Sequence, residues 1–258
     1  MDSDAIHESA KLTYSTDESI AARKEIFRLL GTYDAAPEET ERSLGLFLRG
    51  SLFARFLAIT DVYRRILGIP GSILDVGTWR GQTAVLCENL RAIYEPLNFT
   101  RRVVAFDTFD GYAGFAGDES RSDAHADGTY AVGGAPYASW LRRLLTLHET
   151  SNAMGHVKGK HDVIEGDVRL TIPAHFAHHP GALVALAFLD LNSLDATRSA
   201  LDSIWPKVVP GGAVAFWQLT RRELQGEAQA YLDVIGGTGG HRLESVPTYP
   251  GLCIAIKS

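Results

Sequence analysis

Residues 71–84 read "GSILDVGTWRGQTA". A short apolar run, Ser72 to Val76, ends on an acid-bearing turn with glycines at 77 and 81, and a helical pattern begins at residue 81. Strand, glycine turn and helix in that order open a parallel α/β unit, and ligands of such folds gather at the carboxyl ends of the strands. The turn does not meet the G-x-G-x-x-G dinucleotide fingerprint, because the residue two after Gly77 is Trp79, whose side chain would block a pyrophosphate. A G-x-x-x-x-G-K-[ST] phosphate loop is also absent from the sequence. The turn suits a ligand without phosphates.

Downstream the pattern alternates. Strands are expected at 72–76, 102–106, 161–165, 182–190, 212–217, 241–246 and 251–257, with helices at 81–93, 136–154, 194–205 and 222–235. Such alternation predicts an α/β fold with a mostly parallel sheet and right-handed crossovers. The last two strands are joined only by "PTYPG", too short for a crossover, so they pair antiparallel at the sheet edge. Upstream, "STDESIAARKEIFRLLG" has Ser15 and Glu18 at capping-box spacing and Gly31 as a stop. Residues 43–68 read as one or two further helices with a break at Gly50. Residues 1–69 are therefore expected to form a helical extension or lid, and 70–258 the ligand-binding domain. Residues 110–135 are expected to form a long Gly-rich, polar loop, either a functional lid or disordered.

Composition bounds the partners. The chain has 258 residues, 45% hydrophobic and 22% charged, with a formal net charge of −6. That charge argues against a general nucleic-acid or anionic-membrane binder, which needs a basic face. No apolar run reaches membrane-spanning length. The two cysteines, Cys87 and Cys253, read as buried thiols of a reducing compartment. With an acidic, polar N-terminus that resembles no leader, a cytoplasmic protein acting on a small molecule is expected.

Two further acids follow expected strand ends. In "RRVVAFDTFDG", Asp107 stands 26 residues after Gly81, where a carboxylate would accept hydrogen bonds from both ribose hydroxyls of an adenosine. In "VIEGDVRLTIP", Asp167 could face an adenine amino group. The ordered set implies S-adenosylmethionine. Its expected contacts are Asp75, Gly77, Thr78, Trp79, Arg80, Gly81, Asp107, Thr108, Phe109 and Asp167.

These motifs, with "FLDLNSLDAT" and "PKVVPGGAVAF", make the chain resemble the class I S-adenosylmethionine-dependent methyltransferases. Within them it is similar to the macrocin O-methyltransferase group of sugar-modifying enzymes. The resemblance runs from about residue 42 to the C-terminus. It implies a Rossmann-like, seven-stranded sheet with an antiparallel last strand, a pocket closed partly by residues 43–68, and a homodimer.

The chain departs from that family at the acceptor. The family's D-x-D-x-Y-[DE]-x-T motif, which helps to bind a divalent cation, here reads "DLNSLDAT". Asp190 keeps the first acid, but Asn192 replaces the second and Leu194 the tyrosine. The family's acids after the fifth strand are here Trp217 and Gln218. One carboxylate and two amides are a poor set for a hard cation, so no metal is expected. Asp118 or Asp123 of the loop would have to restore it. Asp190, Asn192, Trp217 and Gln218 form the expected catalytic set. Asp190 is a candidate base, as are His125, His156 and His161, whereas His178 and His179 are discounted as a surface turn. Trp217 reads either as a cation-binding face for the sulfonium or as a core residue. The expected activity is methyl transfer to a small secondary-metabolite or sugar acceptor. The alternatives are cleavage or cyclisation of the same cofactor with release of methylthioadenosine, non-catalytic binding of it, and an inert structural relative.

Overall fold

The computed structural model describes residues 16–112, 126–221 and 225–258. It divides into two compact units, Met1–Arg55 and Phe56–Ser258.

In the first unit, α1 (Asp17–Gly31) is capped by Thr16, whose side chain accepts the Ser19 N–H, so the cap lies one residue after the expected Ser15. Next come α2 (Pro37–Ser43) and a 3₁₀ turn, Leu44–Phe47. Neither helix nor the turn buries a residue. The Tyr33 ring meets Phe47 edge-on at 5.5 Å. Helix α3 (Gly50–Arg65) runs across the division between the units.

The second unit contains a sheet of β1 (Ser72–Val76), β2 (Val103–Asp107), β3 (His161–Glu165), β4 (Val184–Leu189), β5 (Val208–Phe216), β6 (His241–Val246) and β7 (Tyr249–Lys257). Their order across the sheet is β3-β2-β1-β4-β5-β7-β6. The first five strands pair in parallel, and β7 is antiparallel to both β5 and β6. This is the seven-stranded, last-strand-reversed sheet expected from the sequence. Every residue of β4 is buried, the mark of a parallel strand covered on both faces.

Helices α4 (Gln82–Tyr94), α5 (Gly134–Ser151), α6 (Val168–His178), α7 (Leu194–Ile204) and α8 (Gly226–Tyr231) follow the strands. One face of the sheet, with Ile73, Ala105, Phe188 and Ala215, shares a core with α3, α4 and α5. The other, with Leu74, Phe106, Leu189 and Phe216, shares one with α6, α7 and α8. Ala58, Ile59, Val62, Tyr63 and Ile66 belong to the first core, so residues 56–66 are part of the sheet's own packing. The observed division lies within α3, ahead of the boundary expected after residue 69.

Helix α6 was not expected. Pro173 in its middle lacks an N–H and reads as a breaker. Its last turn holds His178, and His179 is its C-cap, so that pair ends a helix instead of forming a free turn. The helix expected at 222–235 is observed as α8 followed by a π turn, Leu232–Gly236.

Arg101, 1% exposed, ties the strand entries to the helices. It donates to both Glu95 oxygens (3.0 and 2.9 Å), to the Gly71 carbonyl (2.6 Å) and to the Ile66 carbonyl (3.2 Å). Tyr63 donates to the same Glu95 at 2.7 Å. Burial would raise the Glu95 pKa, but the hydrogen bonds from Arg101, Tyr63 and Asn98 outweigh it and hold the carboxyl below its ordinary 4.5. Its stabilisation is therefore full above pH 4.5 and is lost as the pH falls through the lowered value. Arg101→Ala, which leaves Glu95 without its cation, is expected to destabilise the fold by about 3–5 kcal/mol in urea titration. Glu95→Gln should remove this group's share of the acid-side slope, read as unfolding free energy against pH below 4.5.

Candidate active site

Strands β2 and β3 lie to one side of β1, and β4 and β5 to the other. The connections leaving β1 and β4 therefore diverge, and folds of this kind bind ligands outside those carboxyl ends. The residues expected to bind the cofactor converge on this crest.

The turn after β1 is held from below. Asp75, 3% exposed, accepts the Thr78 hydroxyl and the Ala84 N–H (3.0 Å), fixing turn and helix start to the strand end. Gly77 has φ 77°, and a Cβ there would lie 2.4 Å from the Asp190 carbonyl oxygen. Gly81 has φ 81°, and its Cβ would lie 2.3 Å from Leu141. Both glycines are thus required by close packing at the switch point. Trp79, at φ 51°, is left-handed without being glycine. Its ring is 39% exposed, meets Tyr130 edge-on at 5.6 Å and carries the Arg80 guanidinium 4.9 Å above its centre.

Asp107 bridges two loops. One oxygen accepts the Trp79 N–H and the other the Phe109 N–H, each at 2.7 Å. A carboxylate has about four acceptor sites, so capacity remains for a diol. Burial, aided by the charge of Asp190, pushes its pKa up against the pull of those N–H groups. Phe109 is buried and left-handed (φ 58°), and its carbonyl accepts the N–H groups of Val132, Gly133 and Gly134 at the start of α5. The Thr108 hydroxyl donates to the Gly111 carbonyl at 2.8 Å. Phe109 and Thr108 thus shape the loop beside Asp107.

Asp167 lies on the same crest but is engaged locally. It caps α6 by accepting the Arg169 N–H (2.9 Å), and the Arg169 guanidinium covers both its oxygens at 2.5–3.0 Å. Those hydrogen bonds hold its carboxyl below the usual range. An adenine amino group would find little acceptor capacity left on Asp167, and the expectation for this residue is revised to a helix cap.

The second half of the site lies after β4 and β5. Gln218 donates its side-chain N–H to Asp190 at 3.3 Å. Asn192 is 7% exposed and left-handed (φ 61°), and its Nδ2 donates to the Tyr112 hydroxyl. Its Oδ1 has no partner among the described residues. Tyr112 meets Tyr130 edge-on at 5.5 Å, which continues an aromatic row from Trp79. Beneath this corner sits Glu227, fully buried, accepting the Leu191 and Gln218 N–H groups at 3.2 and 2.8 Å. Burial and the charge of Asp190 push its pKa up to about 8, against the pull of those donors.

Trp217 is corrected by the structure. It is 3% exposed, stacks on Phe188 at 6.2 Å and meets Tyr249 edge-on at 5.5 Å. Its packing is that of a core ring. His161 begins β3, at the amino end of the sheet and away from the crest, and its ring contacts Thr146 there. His156 precedes that strand start, so neither histidine reaches the site. His125, Asp118 and Asp123 lie outside the described residues. Tyr112 and Glu227 were missed: the first sits in an unpatterned loop and the second is 35 residues beyond Asn192.

Among the described residues the donor set does not fit a divalent cation. Asp190 brings one carboxylate, and an N–H of Gln218 already faces one of its oxygens. Asn192 offers one neutral oxygen, and both Glu227 oxygens accept backbone N–H groups. A Mg²⁺ or Ca²⁺ site needs more hard, anionic oxygens than this.

A family model described as Macrocin-O-methyltransferase (TylF) matches residues 54–223. The solved structure "Crystal Structure of CalS11, Calicheamicin Methyltransferase" superposes with a TM-score of 0.89 at 32% identity, over 95% of this chain and 94% of that one. A second structure, described as apo CalS11, a TDP-rhamnose 3'-O-methyltransferase, gives 0.81 at 29% identity over 95% and 96%. A curated relative from Streptomyces olivaceus, 8-demethyl-8-(2,3-dimethoxy-alpha-L-rhamnosyl)-tetracenomycin-C 4'-O-methyltransferase, is 27% identical over 57% of this chain and 52% of its own. Mycinamicin III 3''-O-methyltransferase from Micromonospora griseorubida is 24% identical over 56% and 54%. The chain thus spans about half the length of the curated relatives it matches.

Removing the Asp107 carboxylate should cost a charged hydrogen-bond pair and release the Trp79 and Phe109 N–H groups. Asp107→Ala is expected to weaken S-adenosylhomocysteine binding by about 10–100-fold in calorimetry. Asp167→Ala should change it by less than about threefold, its effect falling on stability through the lost cap.

Proposed function

The chain belongs to the macrocin O-methyltransferase family, and on that footing we propose that it transfers a methyl group from S-adenosylmethionine to a hydroxyl of a deoxyhexose, without a metal ion. The observation that carries this reading is the near full-length likeness to the calicheamicin methyltransferase. The relatives named for rhamnosyl or mycinamicin substrates favour a deoxysugar, free-standing on a nucleotide or already attached to a natural product. The cleavage and cyclisation alternative drew on the missing metal site and on a cation-friendly Trp217; that ring is buried, and no named relative favours the alternative.

When bound, S-adenosylmethionine supplies an electrophilic methyl group on a positively charged sulfur. Asp107 grips the ribose hydroxyls, and the turn at 77–81 sets the depth of the nucleoside. Asp190 accepts the proton of the attacking hydroxyl as the new C–O bond forms and the C–S bond breaks. Gln218 holds Asp190 in place by its 3.3 Å hydrogen bond. The displacement is in-line, so much of the rate comes from alignment of hydroxyl and methyl. A carboxylate base alone lowers the barrier by less than a metal-bound alkoxide would, and general-base catalysis contributes about 10²–10⁴-fold.

We also propose a homodimer. In the first unit, Phe27, Leu44, Leu46 and Phe53 are each about half-exposed or more, apolar groups of the kind that a second copy covers.

Incubation with S-adenosylmethionine and TDP-L-rhamnose, or rhamnosylated aglycones, should yield methylated sugar and S-adenosylhomocysteine at equal rates. Release of methylthioadenosine instead would exclude methyl transfer. Activity should survive EDTA, and restoration by Mg²⁺ of a chelator-killed enzyme would refute the metal-free site. Asp190→Asn should lower kcat by about 10²-fold or more while cofactor affinity stays within about threefold. Light scattering should give twice the chain mass, with Leu46→Glu shifting it towards the monomer.

A further inference from the structure

The loops after β4 and β5 carry Asp190, Asn192 and Gln218, yet their backbones make few contacts with each other. Ser193 N–H returns to Leu191 within its own loop, and Arg221 N–H to Gln218. Beside the Gln218–Asp190 hydrogen bond, what joins their backbones is the first turn of α8. Glu227 Oε1 accepts the N–H groups of Leu191 (3.2 Å) and Asn192 (3.5 Å), and Oε2 accepts that of Gln218 (2.8 Å). The residue before it has no room for a side chain. A Cβ on Gly226 would lie 2.4 Å from the Asn192 carbonyl oxygen and 2.7 Å from the Leu194 nitrogen. The strand-4 loop therefore rests its backbone on Gly226 and hangs two N–H groups on Glu227.

The consequence shows at Asn192. Its left-handed backbone is a sparsely populated state that persists only where neighbours hold it. Held so, it gives Nδ2 to Tyr112 and keeps Oδ1 as a buried acceptor without a partner among the described residues. That atom suits a hydroxyl donor brought in by a ligand.

We propose that Gly226 and Glu227 are the positioning residues of the acceptor corner, clamping the Asn192 and Gln218 loops in register with Asp190. The role rests on the reading of that corner as the place where the sugar hydroxyl is methylated. Glu227 touches no reacting atom and acts through the loops it holds. Its oxygens face backbone donors on both sides, so above pH 8, where the carboxyl is ionised, the isosteric amide cannot replace it. In Glu227→Gln at least one side-chain N–H meets a backbone N–H.

The test uses the full chain saturated with S-adenosylhomocysteine, above pH 8, where Glu227 is ionised. Amide hydrogen exchange at residues 191, 192 and 218 should quicken at least tenfold in Glu227→Gln. Exchange at 75–81 and 107–109 should be unchanged, and the S-adenosylhomocysteine Kd should stay within threefold. With whichever sugar the parent enzyme methylates, kcat should fall at least tenfold. Gly226→Ala, which intrudes on the strand-4 loop alone, should loosen 191 and 192 but not 218, and it serves if the first variant fails to fold. Unchanged exchange at these amides overturns the clamp. So does loosening spread over the whole sheet together with lost cofactor binding, since that is a merely structural role. If the parent enzyme methylates no sugar while the local exchange pattern appears, the clamp stands and the assigned reaction falls.

Discussion

Carboxylates that accept backbone N–H groups hold this molecule's crest in shape. A parallel sheet has no hairpins at its strand ends, so each strand hands over to a loop whose amides need partners. Asp75 takes Ala84, Asp107 takes Trp79 and Phe109, Asp167 takes Arg169, and Glu227 takes Leu191 and Gln218. Each acid fixes a loop to a strand end or to its neighbour, and the left-handed residues Trp79, Phe109 and Asn192 sit in the loops so fixed.

The same acids set the field. The charge of Asp190 contributes to raised pKa values at Asp107, Tyr112 and Glu227. A site that crowds negative charge in low dielectric welcomes a cation. In the family at large a divalent ion is expected to play that part. Here Asn192 and Gln218 stand where the resemblance expects acids, and in the proposed reaction the sulfonium is the positive charge that remains. Under that proposal the hydroxyl would have no Lewis-acid activation and would depend on a carboxylate and on alignment.

Much of the fold was legible because apolar runs at strand spacing alternate with helical ones, and because "PTYPG" is too short for anything but a hairpin. Helix α6 escaped because Pro173 interrupts its pattern. At the site, spacing located the acids at strand ends but could not say what each would accept. Asp107 keeps capacity for a ligand, whereas Asp167 is engaged by Arg169, two residues away. Trp217 carried two readings because position 217 lies at a strand end, and which way a ring points there depends on the facing Phe188 and Tyr249. Glu227 was invisible, since a buried glutamate on a short helix has no local signature. Its partners at 191, 192 and 218 are neighbours only in the folded chain.

The reversed strand has a bearing on how the chain assembles. β7 lies between β5 and β6 and supplies β6 with its sole neighbour in the sheet. Until residues 249–257 leave the ribosome, β5 presents an open edge and β6 has no strand to pair with. An unpaired edge of apolar strand is a template for sticking to other nascent chains. The five parallel strands pair without β7, while completion of the β-sheet waits on residues 249–257. Proteolytic clipping upstream of Tyr249 would strip β5 and β6 of their shared neighbour and leave the sheet with an adhesive edge.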